Sequence, residues 1–232
     1  MSLNILLIGT AHYELKGAER LRRALEKESP NIITIESSDA AENFKGVDRL
    51  NYMNQILLSL KEEGLNPDVL SQLETYLRNL SFYESKVSID YANQKRIPYH
   101  LVDDFSAVEI LRKGSEETLR NISHLASVGF IDLNPDSLNS YFTHFYNTFK
   151  TLIQHSKLNQ DLILDLLDPL RETHVGKRDS YMAERIIKQA ELSSGKLIHV
   201  GGLVHILNDP QGDTLYEKLK HLNPERRVLS DY

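Results

Sequence analysis

Four residues combine reactive side chains with telling positions. His12 closes the stretch Gly9-Thr10-Ala11-His12, and His205 closes Gly202-Leu203-Val204-His205, so one Gly-x-x-His spacing recurs near both ends of the chain. Each follows an apolar run, Leu3–Ile8 in one case and Lys196–Val200 in the other, of the kind that forms a strand buried on both faces. Glu36 follows the β-branched run Asn31–Ile35, and Asp103 follows Ile97–Val102. Ligands of open parallel sheets bind beyond the carboxyl ends of the strands, so these four side chains are expected to meet there. Two imidazoles with one or two carboxylates form a nitrogen–oxygen set for zinc, manganese, cobalt or iron. Without a metal, the same groups supply a base and an acid tuned by their neighbours.

Each residue also has a plainer role open to it. A histidine after a strand is more often a surface or capping group. Glu36 can complement the dipole of a following helix, and Asp103 or Asp104 can cap one. His199 and His100 lie within strands and read as satisfied buried histidines, whereas His124, His144, His155, His174 and His221 have no evident partner. Arg178 is a further candidate. In Gly-Lys-Arg-Asp-Ser-Tyr-Met-Ala-Glu-Arg-Ile-Ile it shares a helix face with Met182 and Ile186, which points it inward. A cation there, in the first turn, calls for an anionic partner: Glu36, a substrate carboxylate, an oxyanion or a structural ion pair.

The elements that must position these groups alternate. A helix is expected over Lys16–Glu28, ended by Ser29-Pro30, so the opening is a strand–helix–strand unit that suggests a parallel pair with a right-handed crossover. Gly9 is expected to end the first strand at a sharp turn. Helices follow over Asp48–Glu63 and Pro67–Lys95, then a long helical region over Ser106–Leu192 with breaks near Gly114, Gly129–Pro135, Leu158-Asn159 and Pro169. Its Ser140–Phe149 stretch, rich in Tyr and Phe, reads as core packing. A helix over Asp213–Leu222 and a short last strand over Arg226–Leu229 complete the chain. The expected fold is α/β: a small, mostly parallel sheet in one domain over residues 1–232, with helical insertions over about 45–95 and 106–192. His205, placed in a turn, is expected to lie outside the core.

Composition narrows the function classes. With 232 residues, 41% apolar and 26% charged, the chain can build a real core. A net charge of −6 and no basic tract argue against a nucleic-acid partner. The absence of cysteine excludes disulfides, thiolate metal sites, a cysteine nucleophile and a cysteine-linked lipid. No run approaches the ~20 apolar residues of a membrane span, and the N-terminus lacks the basic start of a signal peptide, so a soluble cytoplasmic protein without a membrane partner is expected.

The motifs resemble those of the TraB/Tiki family. Gly9-Thr10-Ala11-His12 is similar to its opening motif, Glu36 to its acidic position, Arg178-Asp179 with Met182-Ala183 to its Arg-Asp-x-x-Met-Ala helix, and Gly202–His205 to its second Gly-x-x-His. Asp103 resembles an aspartate that the family often follows with arginine, where this chain has Asp104. The wider superfamily includes erythromycin esterases and haem-binding ChaN-like proteins. The resemblance implies an active site between the two Gly-x-x-His turns and hydrolysis of a peptide (amide) or ester bond in a peptide or small-molecule substrate. It implies a divalent metal (Mn, Co or Zn) held by His12, Glu36 and His205 with Asp103 as a weaker member, and Arg178 meeting negative charge. Two alternatives stay open: a metal-independent His/Glu esterase, and a non-catalytic binder of a peptide, haem or other small ligand. Monomer and oligomer are equally compatible with the sequence.

Overall fold

The apolar runs form the strands of one sheet. The computed structural model describes residues 3–12, 14–44, 47–79, 83–103, 135–171 and 175–232, with scattered positions between 116 and 128. Within them β1 (Asn4–Thr10), β2 (Ile32–Ile35), β3 (Tyr99–Leu101), β4 (Lys196–Gly202) and β5 (Glu225–Val228) pair in the order β3-β2-β4-β1-β5, every pair parallel. With helices flanking this sheet, the fold is α/β. Ile5, Leu6, Leu7 and Ile8 are at most 2% exposed, so β1 is buried on both faces as its unbroken apolar run requires. Each such side chain contributes roughly 1.5–3 kcal/mol of burial.

The order of the strands sets the site. The first two strands are parallel but not neighbours, in contrast to the pair suggested by the opening unit, because β4 lies between them. In β1 and β4, Asn4 stands beside Lys196, Gly9 beside Gly201 and Thr10 beside Gly202. The two Gly-x-x-His stretches therefore leave adjacent central strands at one level.

The helices are α1 (Gly17–Glu28), α2 (Asp39–Phe44), α3 (Val47–Glu62), α4 (Pro67–Asn79), α5 (Tyr83–Lys95), α6 (Pro135–Gln154), α7 (Gln160–Leu167), α8 (Lys177–Leu192) and α9 (Leu215–Leu219). The helix expected over Pro67–Lys95 is two helices, and that expected over Asp213–Leu222 is α9 followed by a 3-10 turn. Of the region Ser106–Leu192, most positions before Pro135, including Gly114 and Gly129, lie outside the described residues, as do Asp104 and His174. α8 buries Met182, Ala183, Ile186 and Ala190, so the inward face read from Arg178, Met182 and Ile186 is the packed one. Phe142, Tyr146 and Phe149 of α6 are buried in the main core, as the aromatic run suggests. Met53, Ile56, Leu60, Leu73 and Leu138 form a smaller cluster joining α3, α4 and α6. Among the described residues no helix is long and apolar enough to cross a membrane.

Gly9 does not end its strand; β1 runs on to Thr10. Its missing side chain serves a close approach instead. A Cβ there would lie 2.5 Å from Ile206 Cδ1 and 2.9 Å from Leu203 Cδ2, both in the 3-10 turn Leu203–Ile206 that carries His205. Ile206 and Leu203 are 1% and 3% exposed, so either side chain would have to shift against packed neighbours rather than out into solvent. Gly9→Ala should therefore overpack this contact and lower stability by about 1–3 kcal/mol in denaturant titration; an unchanged midpoint would show that the turn yields freely.

Candidate active site

The site is built outward from Glu36. Its backbone N–H donates to Val200 O at 2.9 Å, which carries the β2–β4 ladder one residue past the strand and fixes where the side chain starts. Its Oε2 accepts from the Gly202 N–H at 2.5 Å, and its Oε1 accepts from Arg178 Nη2 at 2.7 Å and faces His205 Nε2 at 3.1 Å. Asp103 is placed in the same way, its N–H donating to Ser37 O at 2.9 Å. Its two carboxylate oxygens take Arg178 in a fork, Nε at 2.9 Å and Nη2 on the other oxygen. Such bidentate, charge-assisted contacts are the strongest ordinary hydrogen bonds. Arg178 starts α8 behind Gly176, whose φ of 85° is a backbone state that side chains disfavour. The partners of this inward arginine are thus two protein carboxylates, Glu36 and Asp103.

His205 is 1% exposed, so it belongs to the core rather than to a free turn. Its Nδ1 faces Asp179 Oδ1 at 2.5 Å while Nε2 faces Glu36. Burial works against a charged imidazole, but the Asp179 and Glu36 carboxylates outweigh it and push the pKa up to about 10. Placed between two carboxylates, the ring is favoured as an imidazolium that donates from both nitrogens. Arg178 Nη1, 3.4 Å from His205 Nε2, is beside a group that cannot accept from it in that state. Glu36, opposed by its own burial, is held well below the ordinary carboxylate range by the charges of His205 and Arg178.

His12 differs from these groups. Its side chain is 44% exposed, and Nδ1 lies 3.0 Å from Glu84 Oε1. Burial draws its pKa down, but the Glu84 hydrogen bond and the charges of Glu84 and Glu36 raise it above the ordinary 6.5. Its Nε2 stands over Gly202. A Cβ on Gly202 would lie 3.0 Å from that nitrogen and 3.5 Å from Glu36 Oε2, so base and carboxylate approach one another across a position that carries no side chain.

The structure thus brings His12, Glu36, Asp103, Arg178 and His205 to one place. Sequence reasoning assigned no role to Glu84 and Asp179. Asp179 had a local signal, a carboxylate adjoining Arg178 in the first inward turn of α8. Glu84 had none, because 72 residues separate it from His12 and no spacing rule links them. His199 is buried with Nδ1 3.1 Å from Thr34 Oγ1, but its Nε2 has no hydrogen-bond partner among the described residues, so the expectation of a satisfied histidine holds for one nitrogen only. Burial lowers its pKa to about 3 and keeps it neutral. His100 is half-buried in β3. Among the described residues, His124, His144, His155 and His221 take no part in the site's hydrogen bonds.

As they stand, the candidate ligands hold one another. His205 faces carboxylates with both nitrogens, and both oxygens of Glu36, and both of Asp103, accept from N–H donors. A divalent ion bound there would have to displace the His205 proton and compete with the Arg178 contacts. Among the described residues no group of three histidine or acidic residues is arranged to hold an ion.

The charge state of His205 makes stability depend on pH with a defined sign. Its folded pKa is raised, so the stabilisation is complete below the unfolded value of about 6.5 and is lost as the pH climbs toward about 10. Urea titrations of wild type and His205→Gln at pH 6, 8 and 10 should show the gap between them narrowing as the pH rises. A gap that stays constant would mean that His205 is neutral in the folded protein. Compared with protein-family models, curated proteins and solved structures, the chain matches none, so the chemistry of this site is the ground on which a function can be argued.

Proposed function

We propose that this chain hydrolyses an ester or amide bond in a small molecule or peptide, with His12 as general base and without a metal. The observation that carries this reading is the approach of His12 Nε2, on a side chain 44% exposed, and Glu36 Oε2, held by the Gly202 N–H, over one side-chain-free position. A water in that position gives one proton to His12 Nε2 and directs the other at Glu36 Oε2. Its oxygen bonds to the acyl carbon, and the carbonyl oxygen takes the electron pair. Arg178 Nη1 is the donor suited to that oxyanion, because Nε and Nη2 are committed to carboxylates and the neighbouring imidazolium cannot accept from Nη1. When the C–O or C–N bond breaks, the His12 imidazolium returns its proton to the departing alkoxide or amine. The products are a carboxylic acid and an alcohol or amine.

Within this reading Asp103 and Asp179 act through the cations they hold. Their carboxylates, with those of Glu36 and Glu84, outnumber the two fixed cations Arg178 and His205, which disfavours a substrate whose own carboxylate must approach His12. The residues placed together are those that the TraB/Tiki resemblance implies, which supports the class of reaction but not a particular substrate. The hydrogen bonds that already engage Glu36, Asp103 and His205 favour the metal-independent His/Glu alternative over a metal-assisted one.

A panel of aryl esters, acyl amides and dipeptides should reveal turnover that is insensitive to a chelator. His12→Asn should lower kcat on the best substrate by roughly 10²–10⁴-fold, the usual contribution of a positioned base. Activity abolished by the chelator and restored by manganese, cobalt or zinc would overturn the metal-free mechanism. An undiminished His12→Asn enzyme would remove His12 as the base.

A further inference from the structure

We infer that Glu84, supplied by the first turn of α5 in the helical insertion, is the positioning residue that holds His12 with its proton on Nδ1 and its lone pair on Nε2. The base lies between two environments. Nδ1 meets a buried carboxylate oxygen at 3.0 Å, and Nε2 stands over the side-chain-free position of Gly202. A neutral imidazole carries one proton, and a carboxylate beside one nitrogen binds it there, leaving the opposite nitrogen as the acceptor. The Nε2–H form would place two lone-pair acceptors, Nδ1 and Glu84 Oε1, against each other.

Glu84 is itself fixed. It is 7% exposed, and Thr10 Oγ1 lies 3.1 Å from the same Oε1 and 3.0 Å from Gly201 O, so the hydroxyl spans the helix and the sheet. The start of α5 is pinned to the loop after β1 by the neighbouring residue. Tyr83 is 1% exposed and donates its O–H to Ala11 O at 3.0 Å, and its ring packs where a Gly17 side chain would stand. From the other side Tyr146 of α6 accepts from the Ala11 N–H at 3.0 Å and donates to Glu14 Oε2 at 2.8 Å. Ala11, one residue before His12, is thus held on both its N–H and its C=O by side chains from the insertions. The helices are therefore part of the machinery, and a sheet stripped of them would present His12 without its orienting group.

The catalytic value of this placement rests on the hydrolytic reading above, but the placement can be observed without a substrate. In protein labelled with ¹⁵N-histidine, at a pH above the His12 titration, long-range proton–nitrogen correlation should show wild-type His12 as the Nδ1–H form. In Glu84→Gln, whose amide can donate to Nδ1 as well as accept from it, the Nε2–H form should become substantially populated. Turnover should fall about 10–100-fold in kcat with little change in KM. Thr10→Val, which loosens Glu84 without touching His12, should move both readings in the same direction by less. A wild-type His12 in the Nε2–H form overturns the inference whether or not the variant folds, and so does an unchanged Nδ1–H population in folded Glu84→Gln. The expected tautomers in a protein that hydrolyses nothing would count against the hydrolase reading and leave the His12–Glu84 placement standing.

Discussion

The rest of the site depends on one buried cation. Arg178 enters from α8, an element late in the chain, and meets a carboxylate at the end of β2 and another at the end of β3. Its guanidinium side chain is 10% exposed, with Glu36 at 5% and Asp103 at 1%, so the charges have little water to lean on and must satisfy one another. Glu36 passes the constraint on to β4 through the Gly202 N–H and to His205 through its other oxygen. Three strand ends and a helix are thereby locked into one arrangement. A cluster of this kind is a poor source of net stability compared with an apolar core of similar volume. What it gains is a fixed electric field at a defined point, which is the property that transition-state stabilisation requires.

That commitment explains why the neighbouring histidines behave so differently. His205 and His12 leave adjacent strands at one level, and both lie beside Glu36. One is sealed among carboxylates that push its pKa up to about 10, whereas the other is half-exposed and turns Nε2 over Gly202. A sequence shows two copies of Gly-x-x-His as equals. The fold separates them, because His205 is 1% exposed and lies between Asp179 and Glu36, whereas His12 is half-exposed and meets Glu84 through Nδ1 alone.

Much of this was legible beforehand, for identifiable physical reasons. Apolar runs such as Leu3–Ile8 have few places to go except a buried parallel strand, and polar residues immediately past such strands must gather at one edge. His12, Glu36, Asp103 and His205 were found by that reasoning, and Arg178 by its helical spacing to Met182 and Ile186. The limits are equally specific. Gly9 reads as a turn because glycine permits one, but its real constraint is the approach of Ile206 from the far end of the chain. The adjacency of β4 to β1 is a pairing choice that no local pattern encodes. Glu84 reaches His12 only because α5 folds back onto the loop after β1, and nothing in the residues around position 84 announces that contact. Ligand types can be counted in a sequence, but the N–H donors that contact Glu36 and Asp103 come from distant elements and cannot.

If the Arg178 cluster is the constraint from which the site follows, then Arg178 and Glu36 must be energetically coupled across the sheet edge. A double-mutant cycle with Arg178→Met, Glu36→Gln and the pair, read by urea unfolding at pH 7, measures that coupling directly. Each single change deprives a buried charge of one of its two opposite charges, leaving Arg178 with Asp103 or Glu36 with His205, and the second change should relieve part of the damage. The account predicts a non-additivity of about 1–3 kcal/mol in favour of the double variant. Strict additivity, within the roughly 0.3–0.5 kcal/mol expected of independent sites, would contradict it.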